Sequence, residues 1–131
     1  MVMSSSKSLS EMQAETIEVE TLLGWKGPDV SPNRFGESMA LLHSEVSEAF
    51  EAYRNWGFDD VTKPFEFDRS SGSMYPAKIA AKPEGVGSEF ADILIRLLSS
   101  CDQYGINLEA EYERKVAYNR TRSFRHGGKL L

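Results

Sequence analysis

Cysteine is almost absent from the chain: Cys101, alone among 131 residues, cannot form an internal disulfide, which fits a reducing compartment. Long apolar runs are missing too, since no stretch approaches the roughly 18 consecutive apolar residues of a membrane span. Residues 1–8 lack the apolar segment of a signal peptide and are interpreted as a flexible lead-in. We therefore expect a cytoplasmic protein with no membrane partner.

The motifs of several enzyme classes are also missing. The sequence contains neither the phosphate loop G-x-x-x-x-G-K-[ST] nor the dinucleotide fingerprint G-x-G-x-x-G. Its two histidines, His43 and His126, are too few and too far apart for a zinc site, and Cys101 lies in an apolar helical stripe that predicts a packed thiol. The net charge of −5 argues against sequence-independent binding to a nucleic acid polymer, which depends on Lys and Arg.

Helical periodicity is present, without a convincing strand ladder. Four helices are predicted, over about residues 9–23, 34–56, 85–104 and 108–122. The residues expected to bound them are Ser10 as the first N-cap, Gly24 and Gly57 as stops, Gly87 or Ser88 as the third cap, Gly105 as the third stop and Asn107 as the last cap. We predict an all-α fold, a four-to-five-helix bundle, in one domain over residues 9–131.

Apolar residues recur at three and four positions in the second and third helices. The expected core stripes are Met39, Leu42, Val46, Ala49, Phe50 and Tyr53 in the second helix, and Phe90, Ile93, Leu94, Leu97, Leu98 and Cys101 in the third. Such broad apolar faces on a short chain leave surface to cover, which favours a homo-oligomer. Between these helices lies an irregular loop, 57–84, whose sequence does not decide between a short strand and a short helix.

The most informative feature is a doubled acidic motif. Glu45-Val46-Ser47-Glu48 lies in the second helix and Glu89-Phe90-Ala91-Asp92 in the third. Residues three apart share a helix face, and a hard cation such as Mg²⁺ prefers carboxylate oxygens. The two pairs predict a metal site. Glu51 is expected to point to solvent, and a salt bridge from Arg96 to Asp92, four residues earlier, is a competing use of that carboxylate.

A basic segment follows the acidic pairs, with no acidic residue between Arg114 and Lys129. Lys115, Asn119 and Arg122 are spaced to share one face of the fourth helix and suit phosphate oxygens. A basic helix end favoured by the helix dipole is the alternative. Further residues that are candidates to line the site are His43, Arg125 and His126.

Together these residues resemble the MazG-like superfamily of all-α nucleoside triphosphate pyrophosphohydrolases. The resemblance covers the two acidic motifs and Lys115-x-x-x-Asn119-x-x-Arg122, within the segments HSEVSEAFEAYR, KPEGVGSEFADILIRLL and KVAYNRTRSFRHGGK. They read like small single-domain bacterial or phage proteins of that type. The resemblance spans roughly residues 35 to 56 and 82 to 129, and the long loop departs from a minimal pattern.

The resemblance implies a site and a reaction. The residues implied to bind Mg²⁺, with Mn²⁺ as an alternative ion, are Glu45, Glu48, Glu89 and Asp92; those implied to bind the triphosphate are Lys115, Asn119 and Arg122. Water would attack a nucleoside triphosphate between its α and β phosphates, with Glu45 or Glu48 orienting it, in nucleotide-pool house-cleaning by a homodimer or homotetramer. Two alternatives stay open: a phosphoribosyl-ATP pyrophosphohydrolase on the same fold, and a non-enzymatic helical regulatory or binding module.

Overall fold

The computed structural model describes residues 6–59, 61–63 and 82–124. Its elements are α1 (Leu9–Leu22), α2 (Phe35–Trp56), β1 (Val61–Lys63), β2 (Lys82–Glu84), α3 (Val86–Gln103) and α4 (Leu108–Arg120). The described residues are mostly helical, which confirms the all-α prediction. None of the helices in the described ranges is long and apolar enough to cross a membrane.

The start of α1 corrects one expectation. Ser8, rather than Ser10, is the N-cap: its side chain accepts from the backbone N–H of Glu11, whose carboxylate accepts from the N–H of Ser8 in a capping box. The hydroxyl of Ser10 instead donates to Glu109 of α4 at 3.0 Å. Because Glu11 completes the capping box with Ser8, the helix begins directly after Ser8 and Ser10 lies within its first turn.

The other helix ends follow local backbone rules, with one exception. Gly57 and Gly105 have positive φ angles of 61° and 66° and end α2 and α3 as predicted, and the Asn107 side chain accepts from the Ala110 N–H at 3.0 Å as the α4 cap. The predicted α3 caps, Gly87 and Ser88, are wrong because the helix already begins at Val86.

Two compact units divide the chain: a central unit, Asn33–Leu97, and a terminal unit, Met1–Pro32 with Leu98–Leu131. The terminal unit contains α1, the last part of α3 and α4, and α1 packs against α4. Its most buried side chain is Leu98, 1% exposed, and Cys101 is a buried free thiol whose pKa is raised by burial, as expected for a packed cysteine. A single domain over residues 9–131 stays a prediction.

The central unit contains α2, an antiparallel β pair and the first part of α3. β1 and β2 pair with Val61 opposite Glu84 and Lys63 opposite Lys82, so the two ends of the predicted loop form a short strand pair. Residues 60 and 64–81, which include most of the loop aromatics, lie outside the described residues. The β pair therefore leads the chain directly into α3.

Part of the predicted α2 core stripe is wrong. Val46, Phe50 and Tyr53 are 52%, 63% and 46% exposed, whereas the buried residues of α2 are Ser38, Glu45, Ala49 and Ala52. Successive helical residues differ by about 100° around the axis, so the buried residues lie on a face next to the large apolar ones. α2 therefore buries a narrow face and exposes a broad apolar one.

On α3 the prediction fails at Phe90, which is 59% exposed. The remaining residues of its expected stripe are buried or half-buried: Ile93, Leu94, Leu97, Leu98 and Cys101. Phe90 follows Glu89 directly, so the turn that carries the acidic pair is the least covered part of the stripe.

Candidate metal centre

Three of the four motif carboxylates meet in the central unit. Glu45 from α2 and Glu89 and Asp92 from α3 each offer one oxygen, and these oxygens lie within 4.8 Å of one another. We call these three residues the carboxylate triad. Glu45 is only 7% exposed, and the other two are half-buried. Glu89 and Asp92 are three residues apart on α3 and therefore lie on one face of the helix, the face near Glu45.

Glu48, the fourth carboxylate, is exposed and lies near Glu45 and Glu89, and metal binding by Glu48 stays a prediction. Its hydrogen bond with Glu45 and the negative charge of Glu45 raise the pKa of Glu48, with smaller contributions from burial and from Glu89. The raised pKa brings Glu48 closer to the range in which a carboxylate can exchange a proton with water.

Arg96 is the cation bonded to the triad. Its Nε donates to Oε1 of Glu45 at 2.5 Å, and the side chains are 40% and 9% exposed. Burial disfavours the charged form of Glu45, but the hydrogen bonds with Arg96 and Glu48 and the charge of Arg96 outweigh burial and lower its pKa. Among the described residues, the carboxylate that Arg96 pairs with is thus Glu45, and not Asp92 as the spacing suggested.

The other two triad residues lack comparable compensation. Burial first, and then the charges of Asp92 and Glu45, raise the pKa of Glu89, against a smaller opposing effect of Glu48. Burial and the charge of Glu45 likewise raise the pKa of Asp92, against the opposing charges of Arg96 and Lys82. Within the described part of the chain, Oε2 of Glu89 is buried and has no hydrogen-bond partner. Buried polar atoms are nearly always paired, so this oxygen calls for a ligand or a proton.

These donors fit a hard divalent cation. Each triad residue offers a carboxylate oxygen, the ligand type that Mg²⁺ and Mn²⁺ share, and the described cluster contains neither histidine nor cysteine, as a zinc site would. A cation there would also partner the orphaned Glu89 oxygen. The triad could therefore hold Mg²⁺ or Mn²⁺, and the identity of the ion is a proposal.

The backbone before α3 fixes where Glu89 lies. Gly85 has a φ of +107°, and a Cβ there would lie 2.9 Å from the carbonyl oxygen of Asp59. Ser88 donates to the Pro83 carbonyl at 3.2 Å, which ties the first turn of α3 to β2. The β2–α3 junction thus has a backbone conformation that favours glycine. The helix that follows carries Glu89 in its first turn, where the helix dipole favours a negative charge.

Lys82 belongs to no motif that the sequence analysis connects with the site. It is exposed on β2, forms an ion pair with Glu84 at 3.4 Å, and its charge opposes the rise in the pKa of Asp92. No spacing rule connects a residue of one strand to a carboxylate on the next helix. Its place near Asp92 follows from the β pair.

The remaining candidate residues are not part of the triad. Lys115 and Asn119 are exposed on α4, and Arg122 is exposed just beyond the end of α4, all in the terminal unit. Because α4 ends at Arg120, the expected helical face does not extend to Arg122. His43 is exposed on α2, whereas Arg125 and His126 lie outside the described residues. Phosphate binding by these side chains stays a prediction.

Comparison with models of known protein families, with curated proteins and with solved structures finds no match in any of the three. The function is therefore inferred from the residues of the site and their geometry.

Proposed function

We propose that the protein is an Mg²⁺-dependent nucleoside triphosphate pyrophosphohydrolase of the MazG-like type, in which Mn²⁺ can replace Mg²⁺. The observation that carries the proposal is the carboxylate triad, with one buried oxygen unpaired among the described residues. A solvated acidic surface would place its oxygens in water, and a structural ion pair would give each a donor. Among the described residues, the triad does neither for Oε2 of Glu89.

Glu45, Glu89 and Asp92 would hold the cation. When bound, a divalent cation neutralises charge on the triphosphate and polarises its phosphoryl oxygen. Hydrolysis of a phosphoanhydride depends mainly on positioning and charge neutralisation, so few other groups are needed. The rest of the chemistry falls to side chains that orient water and take up its proton.

Glu48 is the better placed of the two proposed general bases. Glu45 is buried and engaged by Arg96, whereas Glu48 is exposed beside the triad and has a raised pKa, which brings a carboxylate closer to the range that proton transfer needs. In this scheme water attacks the α phosphorus, the bond from that phosphorus to the bridging oxygen breaks, and pyrophosphate leaves. Glu48 accepts the proton of the attacking water, and a nucleoside monophosphate is the second product.

The proposal assigns phosphate binding to Lys115, Asn119 and Arg122. Their side chains are exposed, and the lysine and arginine carry charges that complement phosphate. Nucleotide-pool house-cleaning is the cellular role that follows from such a reaction.

A homodimer or homotetramer is also part of the proposal. The support is the exposed apolar stripe of Val46, Phe50 and Tyr53 on α2, since soluble chains seldom leave contiguous large apolar side chains in water. Phe50→Ser should reduce the assembled mass measured by light scattering, while helix content measured by circular dichroism stays unchanged. A monomeric wild-type protein at micromolar concentration would contradict this part.

The reaction is tested by phosphorus NMR of the purified protein with Mg²⁺ and a panel of ribo- and deoxyribonucleoside triphosphates. Pyrophosphate and nucleoside monophosphate are expected in equal amounts. Release of single phosphate would show a different hydrolase. No product from the whole panel would contradict the proposal; activity on phosphoribosyl-ATP would then identify the related enzyme, and its absence would favour a non-enzymatic helical module.

A further inference from the structure

Arg96 lies at the triad but has no part in the proposed reaction. It follows Asp92 by one helical turn on α3, and its Nε hydrogen bond at 2.5 Å engages Oε1 of Glu45. Glu45 is the most buried member of the triad, with a side chain only 9% exposed. The carboxylate with the least access to water is therefore the one already bound by a cation of the protein itself.

Among the described residues, the cations whose charges reach the triad are Arg96 and Lys82. Lys82 is paired with Glu84 at 3.4 Å, and Glu89 Oε2 has no hydrogen-bond partner in the same part of the chain. Arg96 thus pairs with Glu45, whereas Oε2 of Glu89 has no donor among the described residues and Asp92 is affected by Arg96 and Lys82 through their charges. A divalent cation placed among the three carboxylates would have to share Glu45 with this guanidinium or displace it.

We infer that Arg96 and the divalent cation compete for Glu45, so that Arg96 is a positioning residue which holds Glu45 before metal binding and sets the affinity of the site. This inference rests on the metal site of the proposed function. Arginine keeps its charge at all ordinary pH values, so its repulsion of a bound cation is permanent. Leaving Glu45 unpaired would in turn weaken the metal-free protein, because a buried carboxylate without a partner is destabilising.

The test is calorimetric titration of Mn²⁺ into the full-length protein without nucleotide, with the melting temperature in EDTA as a second readout. Arg96→Met removes the charge, and Arg96→Gln removes it but retains a donor for Glu45. Both should bind Mn²⁺ roughly fivefold or more tightly than wild type, the size of a typical coupling between two sites. Arg96→Met should also melt at a lower temperature in EDTA, and Arg96→Lys should restore both properties towards wild type.

The matched control is Arg114→Met. Arg114 Nη2 lies 2.5 Å from Glu111 Oε2, the same separation, but both side chains are more than half exposed on α4. Its removal should leave Mn²⁺ affinity unchanged. A residue that merely braced the fold would weaken metal binding when removed, so tighter binding is a result that a structural role does not produce.

Unchanged or weaker Mn²⁺ binding by both neutral variants would overturn the inference, as would the absence of Mn²⁺ binding by wild type. If Arg96→Met fails to fold, Arg96→Gln decides. The titration contains no nucleotide, so it measures metal binding separately from hydrolysis. If wild type binds Mn²⁺ but hydrolyses no nucleotide, the proposed function is wrong, and the Mn²⁺ affinities of the variants still test the role of Arg96. Hydrolysis with unaltered variant affinities would overturn the inference alone.

Discussion

A partly buried carboxylate site in the terminal unit and one in the central unit are built differently. In the terminal unit, Glu20 accepts from the Ser99 hydroxyl at 3.0 Å and lies 3.5 Å from Lys26 Nζ, which also reaches the Ser99 carbonyl. In the central unit, Glu45, Glu89 and Asp92 face one another. The first arrangement provides hydrogen-bond donors for its carboxylate, whereas in the second the cation bonded to the carboxylates, among the described residues, is Arg96.

This difference separates a structural carboxylate from a candidate ligand. Glu20 joins the end of α1 to α3, and its carboxylate has both a hydrogen-bond donor and a nearby positive charge. The triad raises the pKa values of Glu89 and Asp92, through burial and mutual repulsion, and leaves Glu89 Oε2 unpaired within the described residues. Uncompensated charge of this kind marks functional sites more often than structural ones.

The largest expected effect is on turnover. Asp92→Asn removes one ligand charge from the triad and should lower the hydrolysis rate by roughly 100-fold or more, the scale of a lost electrostatic contact in a transition state. Glu51→Gln is the control, because Glu51 is exposed and pairs only weakly with Arg54 at 3.8 Å. A steady-state assay with Mg²⁺ measures both. Wild-type turnover by Asp92→Asn would contradict the metal assignment.

Addition of Mg²⁺ should come next in size. A ligand at 100 times its dissociation constant stabilises the folded state by about 2.7 kcal/mol, so wild type should melt at a higher temperature in Mg²⁺ than in EDTA. Asp92→Asn should show little of this shift. Equal shifts in the two proteins would place the bound ion outside the triad.

Loss of the Glu20 carboxylate should have a smaller effect that is independent of metal. Glu20→Gln keeps the shape but removes the charge opposite Lys26, which should cost about 1 kcal/mol of unfolding free energy. Urea denaturation in EDTA and in Mg²⁺ measures it. Hydrolysis and the Mg²⁺ shift should stay at wild-type values, and a loss of either would end the distinction between the two sites.

The smallest effect concerns pH. Because the folded-state pKa of Asp92 lies above its unfolded value, the proton it binds stabilises the fold below about pH 4, and that stability is lost as pH rises through the folded pKa. In EDTA, Asp92→Asn should therefore be more stable than wild type at pH 7, with an advantage that shrinks towards pH 4. Urea denaturation at pH 7 and 5 compares them. An advantage that grows on acidification would contradict the sign.

The sequence predicted features that depend on neighbouring residues. The glycines at 57 and 105 and the Asn107 cap act within one turn, and all three are confirmed. Helical spacing also predicted that Glu89 and Asp92 share a face. The prediction of Ser10 as the N-cap is wrong because the sequence offers two serines at the start of α1, and the structure shows that Ser8 is the cap.

Contacts between distant parts of the chain could not be predicted in this way. Arg96 is four residues from Asp92 but bonds with Glu45, 51 positions away, because the approach of α2 to α3 decides between the two carboxylates. Strands of three residues are too short to show an alternating pattern, so the sequence does not predict the β1–β2 pair. Periodicity identifies an apolar face without showing what covers it, so the prediction that Val46 and Phe50 lie in the core is wrong.

Anomalous diffraction from crystals of the protein soaked with Mn²⁺ would show directly whether the triad binds a cation. We expect one strong anomalous peak beside the carboxylate oxygens of Glu45, Glu89 and Asp92, with Glu89 Oε2 among the ligands. A peak elsewhere, or none at saturating Mn²⁺, would contradict the assignment of the triad as the metal centre.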